Sequence, residues 1–124
     1  MKKILILAAL FFSVQSIALA QDKTNTATAA SSKELTVSKT SGSYSFVLPE
    51  GTKKEDVERN AKFYSKSFTV TFDEASKKAS IQMVVNDEKN RHVVVRFLTA
   101  SKIQFVNVDG KNLNIDDFYK NYML

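Results

Sequence analysis

The sequence predicts an α+β fold: a ferredoxin-like βαββαβ antiparallel sheet with helices on one face, plus a short C-terminal helix. Three observations predict it. Apolar and polar residues alternate with period two through residues 43–48, 67–73 and 79–83. Segments of helical spacing fall between these runs. Each run has one apolar side and one Ser/Thr/Gln side, which suits a sheet covered on a single face.

The chain opens with Lys2 and Lys3, an unbroken apolar run over residues 4–12, and the small residues Ala18-Leu19-Ala20. This order is that of a secretory signal peptide, with cleavage expected after Ala20. The run is shorter than the roughly 20 apolar residues that cross a bilayer. No cysteine is present, which excludes a lipidated N-terminus and disulfides alike. The expected location is therefore periplasmic or secreted, with no stable membrane anchor after cleavage. Removing Lys2 and Lys3 from the 18 basic residues leaves 16 against 13 acids, a net charge of +3 spread along the chain. Such a balance gives no footprint for a polyanion.

Residues 21–33 (QDKTNTATAASSK) hold nothing large to bury and are expected to be a disordered linker, with a single α+β domain over 34–124. Leu35 and Val37 alternate with polar residues, and Thr40-Ser41-Gly42 has turn chemistry. Tyr44, Phe46 and Leu48 then share one side of a strand, ended by Pro49. Thr52 and Glu55 have the spacing of a capping box, so a helix is expected over about 53–65, with Val57, Ala61 and Tyr64 as its stripe. Phe68, Val70 and Phe72 face one way in the next strand. Ala79, Ile81 and Met83 alternate on the return strand after a polar turn over 73–78.

Asn86 can cap a second helix, and Asp87 and Glu88 favour its positive end. Val93, Val94, Phe97 and Leu98 then fall on one helical face. A strand through Val93-Val94-Val95 competes, because β-branched residues resist helices. Residues 103–108 form a further strand closed by Asp109-Gly110. Asn114 caps a final helix carrying Ile115, Phe118, Tyr119 and Tyr122.

In element order, element length and the hairpin over 68–83, residues 44–108 resemble the heavy-metal-associated domains of copper chaperones and metal-transporting ATPases. Those domains hold soft metals through Cys-x-x-Cys in the first strand–helix loop. Here that loop is Leu48-Pro49-Glu50-Gly51-Thr52-Lys53, and Glu50 and Lys53 stand where the thiolates would. The resemblance thus implies the fold without the family's metal chemistry, since a carboxylate and an ammonium do not replace two thiolates.

No catalytic, cofactor-binding or metal-binding residues are assigned. His92 is the only histidine and Met83 the one soft ligand in the expected core, too few for a transition metal. The acid pairs Asp73-Glu74, Asp87-Glu88 and Asp116-Asp117 sit at turns or helix starts, where acids belong structurally. Serines abound, but no base or nucleophile elbow accompanies them. The expected open sheet face (Ser45, Thr69, Thr71, Ser80, Gln82) lacks aromatic platforms for nucleic acid. The expectation is a non-catalytic exported module without cofactor, not an enzyme. Its partner would be another exported protein or a second copy, met through a sheet edge or the C-terminal aromatic stripe. A periplasmic carrier of a metal or small ligand is the alternative.

Overall fold

The computed structural model describes residues 24–124; the expected signal peptide over 1–20 lies outside the described residues. The fold is mixed α/β of the α+β kind. Its elements are β1 (Thr26–Ala29), α1 (Ser32–Ser41), β2 (Ser43–Val47), α2 (Lys54–Lys62), β3 (Phe68–Asp73), β4 (Lys78–Met83), α3 (Glu88–Ala100), β5 (Phe105–Val108), β6 (Lys111–Asn114) and α4 (Ile115–Phe118). A π-helical turn, Tyr119–Met123, ends the chain.

The sheet has six strands in the order β3-β4-β2-β1-β5-β6, which corrects the expected four. Every neighbouring pair is antiparallel except β1 with β5, which is parallel. The four expected strands keep their relative order. β1, however, lies between β2 and β5 and separates two strands that a ferredoxin-like sheet would pair directly.

β1 also corrects the expected linker. Thr-Ala-Thr-Ala is a small period-two pattern: Ala27 is fully buried, while Thr28 points to the open face. Ala27 pairs with Val106 and Ala29 with Phe46, so the strand fills a narrow slot that larger side chains would overpack. The domain therefore begins well before residue 34.

The Leu35/Val37 alternation belongs to a helix. Ser31 caps α1, its side chain accepting from the Glu34 amide at 3.2 Å, and Gly42 ends it in the left-handed conformation at φ 80°. A Cβ at Gly42 would also press on Met83 at 3.2 Å. Leu35 is buried and Val37 is 62 % exposed, as one helical face requires. Asn86 does not cap α3; its side chain donates to the Lys39 and Thr40 carbonyls and so closes the C-terminus of α1 instead. Asp87 takes the α3 cap, accepting from the Asn90 amide at 2.8 Å.

α3 is a helix despite its three consecutive valines. Val94, Val95, Phe97 and Leu98 are buried, and Val93, expected on that face, is only partly so. α2 starts at Lys54 with Lys53 as its cap residue and no side-chain capping bond, so the Thr52–Glu55 box does not form. The Thr52 amide donates to the Pro49 carbonyl instead. Asp109 and Gly110 both have positive φ (52° and 82°), the requirement of a two-residue hairpin turn. That turn launches β6, a strand with no counterpart in the sequence reading.

The core lies between the helices and one sheet face. Tyr44, Phe46, Phe68, Phe72 and Ile81 meet Leu35, Val57, Val94, Phe97 and Leu98 there. Phe97 meets Phe68 and Tyr64 edge-on at 5.6 and 6.4 Å. The C-terminal segment closes the layer: Phe118 and Met123 are fully buried, with Phe118 edge-on to Phe46 at 5.8 Å. Tyr119 and Tyr122 are partly buried against the same core.

Candidate functional site

Four features remain open to solvent and carry chemistry: the helix-free sheet face, the outer edge of β3, a cleft beside α2, and a shallow hollow at His92. The sheet face follows from strand register. Thr69, Gln82 and Ser43 form one row, and Thr71, Ser80 and Ser45 the next. Asp73, Lys78, Val47, Thr28, Asn107 and Asn112 form a third. Hydroxyls and amides dominate, and Asp73 and Lys78 are the only charges in these rows. Side chains bond within the face, Ser43 to Gln82 and Asn107 to Asn112. The face is thus polar and nearly uncharged, the solvated side of a sheet covered on its other face.

β3 is the terminal strand on one side of the sheet. Its ladder phase is fixed by the Val84 amide donating to the Ser67 carbonyl at 2.9 Å. Along an antiparallel pair the bonded positions alternate, so Thr69, Thr71 and Asp73 bond inward to β4. The backbone groups of Phe68, Val70 and Phe72 therefore point out from the edge. The Phe68 amide is taken by the Tyr64 carbonyl at 3.1 Å. Val70 and Phe72 have no such partner in another element among the described residues.

Edges of this sort invite another strand unless charges, prolines or bulges blunt them. From Phe68 to Phe72 β3 has neither charge nor proline, and its register with β4 runs unbroken. The opposite edge, β6, is short, reads Lys-Asn-Leu-Asn and runs straight into α4.

The cleft, about 600 Å³, is lined by the 49–53 loop, the first turns of α2 and residues 100–102. Val57, Pro49 and Ala100 give it an apolar side, and Lys53 and Lys102 stand at its rim without ion pairs among the described residues. Arg59 is paired with Asp56. Lys102 holds a left-handed backbone at φ 68°. The Ser101 hydroxyl, also in the lining, is buried with no hydrogen-bond partner among the described residues. Lys77 anchors the loop, its ammonium donating to the Thr52 carbonyl at 3.2 Å.

Glu50 and Lys53 both line this cleft. Sequence reasoning found that loop but missed Ser101 and Lys102, which the end of α3 brings to it from forty residues away or more.

His92 and Met83 are not a pair: Met83 is buried in the core, whereas His92 is exposed with its ring edge-on to Tyr119 at 4.7 Å. His92 lines a shallow hollow with Asp87, Glu88 and Arg96. No group of three or more His, Cys, Asp or Glu side chains is placed to hold a metal ion among the described residues. The acid pairs serve local structure. Asp73 accepts from the Ala75 amide and Ser76 hydroxyl in the hairpin turn, and Asp117 completes the Asn114 cap.

Asp87 is held below the usual carboxylate range, first by the Asn90 amide and then by the Asn90 side chain. Asp109 is lowered by hydrogen bonding to Ser32, which ties the β5–β6 turn to the start of α1. Burial pushes the Tyr44 hydroxyl above ordinary tyrosine, against a smaller opposing effect of the Arg91 charge.

No family model, curated protein or solved structure matches this chain. No helix among the described residues is long and apolar enough to cross a membrane.

Proposed function

We propose that this chain is an exported, non-catalytic protein-binding module that engages its partner by strand addition at the β3 edge. The observation that carries this reading is the asymmetry of the two sheet edges. β3 offers six residues of regular strand with uncharged backbone groups turned outward, whereas β6 is short and polar. Strand addition uses main-chain hydrogen bonds for affinity and alternate side chains for specificity. Phe63, 80 % exposed in the connection leading to β3, and the neutral rows of the open face supply further contact area.

The test is site-specific photo-crosslinking in cells that export the full chain, with the crosslinker at Thr71 (β3), Thr28 (central β1) or Asn112 (β6). Protein adducts concentrated at Thr71 support the reading. Adducts equally frequent at Asn112, or none at Thr71, overturn it.

The cleft favours a second reading, a carrier of a small organic anion. Its two ammoniums, unpaired among the described residues, outnumber the one unpaired carboxylate, Glu50, and with the apolar wall suit a carboxylate or phosphoryl compound better than a soft metal. Calorimetric titration of the purified chain with inorganic phosphate and with a short-chain carboxylate, repeated on Lys53→Ala/Lys102→Ala, tests this. Heat lost in the variant supports the carrier, and no heat in either protein removes it.

A further inference from the structure

The outward groups of β3 are arranged so that the strand is complementary to itself. They belong to Phe68, Val70 and Phe72, symmetric about Val70. Two copies laid antiparallel with the two Val70 residues opposite each other pair all of these groups except the Phe72 carbonyls, whose donors would be the Phe68 amides. Each Val70 amide meets the other copy's Val70 carbonyl, and each Phe72 amide meets the other's Phe68 carbonyl. The Phe68 amide stays bonded to Tyr64, so each Phe68–Phe72 pair makes one interchain bond rather than two. An antiparallel bonded pair exchanges both of its hydrogen bonds, so the central Val70 pair alone is a complete unit of ladder.

The flanking side chains match in the same register. Thr69 falls opposite Thr71 on the open face, a favourable cross-strand pairing. Val70, only partly covered in the single chain, gains a β-branched neighbour. Beyond the strand, Lys66 comes level with Glu74, and by symmetry Glu74 with Lys66. Both are exposed, and neither makes an ion pair among the described residues. Shifting the centre to Phe72 leaves fewer outward groups paired and loses this charge match. Paired residues in antiparallel strands share a face, so the polar faces of the two copies would run on as one surface.

From this symmetry we infer that the partner at the β3 edge is a second copy of the chain, in a two-fold antiparallel β3–β3 dimer centred on Val70. The inference rests on the edge-binding reading above and names its occupant. A single strand pair is a small contact, so dissociation is expected in the micromolar range, near the weak end of specific association.

The experiment is sedimentation velocity of the purified chain, lacking residues 1–20, from about 1 μM to about 1 mM, a span chosen to bracket weak association. The wild type should pass from monomer to dimer. Val70→Pro removes an outward amide without touching the bonds to β4, a tolerated place for proline on an edge strand. It should weaken the dimer at least about tenfold, more than 1.4 kcal/mol of association free energy.

Lys66→Glu should also weaken the dimer, and Lys66→Glu/Glu74→Lys should restore it. This charge series keeps the inference testable should Val70→Pro misfold. A chain monomeric throughout overturns the inference, as does a dimer indifferent to the charge series. If the chain is monomeric yet Thr71 crosslinks reach only other proteins, the self-pairing fails and the edge reading stands. If both readouts are blank, both fail.

Discussion

Replacing Phe118 with alanine tests whether the C-terminal segment belongs to the core. The ring is fully buried, edge-on to Phe46 at 5.8 Å and tilted against Tyr122 at 5.8 Å. Its loss removes about 1.5–3 kcal/mol of transfer free energy. The ring–ring contacts contribute roughly 0.5–1.5 kcal/mol more. With the residual cavity the total should be about 3–5 kcal/mol. For a domain of this size each kcal/mol shifts Tm by roughly 4–8 °C, so melting should fall by at least about 12 °C.

Urea unfolding followed by circular dichroism measures the effect at unchanged slope. Phe63→Ala is the internal control: that ring is 80 % exposed, and its removal should change stability by no more than about 0.5 kcal/mol. A cost below about 1 kcal/mol for Phe118→Ala would refute a core role for this ring.

Three further outcomes are expected. Tyr44→Phe should leave stability unchanged or raise it by up to about 1 kcal/mol, since it deletes a buried hydroxyl without a partner among the described residues; a loss above that in the same urea assay would show the hydroxyl to be satisfied. Ala27→Leu should destabilise by roughly 1–3 kcal/mol through overpacking under the helices, and a neutral result would place β1 outside the core. Asp109 has a folded pKa below its unfolded value, so its contribution is present above about pH 4 and is lost as pH falls through the folded value. The wild-type urea midpoint should accordingly drop more steeply between about pH 4 and pH 2 than that of Asp109→Asn, and parallel curves would contradict the Ser32 clamp.

The β3–β4 hairpin was legible in the sequence because its alternation coincides with its burial: Phe68, Phe72, Ala79, Ile81 and Met83 are all inside. α3 was legible because an acidic cap and an amphipathic face outweigh the helix resistance of Val93-Val94-Val95. β1 was not, because Thr and Ala bury so little that the strand resembles a tether until its slot between β2 and β5 is known. α1 was missed for a related reason. Ser31 and Glu34 have capping-box spacing, but only Leu35 marks a buried face. β6 escaped notice because Asp109-Gly110 announced a turn whose second strand, Lys-Asn-Leu-Asn, has one apolar residue.

Of the candidate site, β3 was readable as a strand but not as an edge. Strand order depends on long-range pairing, and no local pattern records it. The cleft divides in the same way. The loop at Glu50 and Lys53 stands out in the sequence, whereas Ser101 and Lys102 reach it only through the length and direction of α3.

The most direct test is residue-resolved amide hydrogen exchange along β3 as a function of protein concentration. Thr69 and Thr71 should be protected at every concentration, because they bond to β4. Val70 and Phe72 should exchange freely in dilute solution and become protected as the chain associates. Val70 and Phe72 amides protected as well as Thr69 and Thr71 in the dilute chain, or exposed at every concentration, would contradict a free β3 edge that works by taking on a second strand.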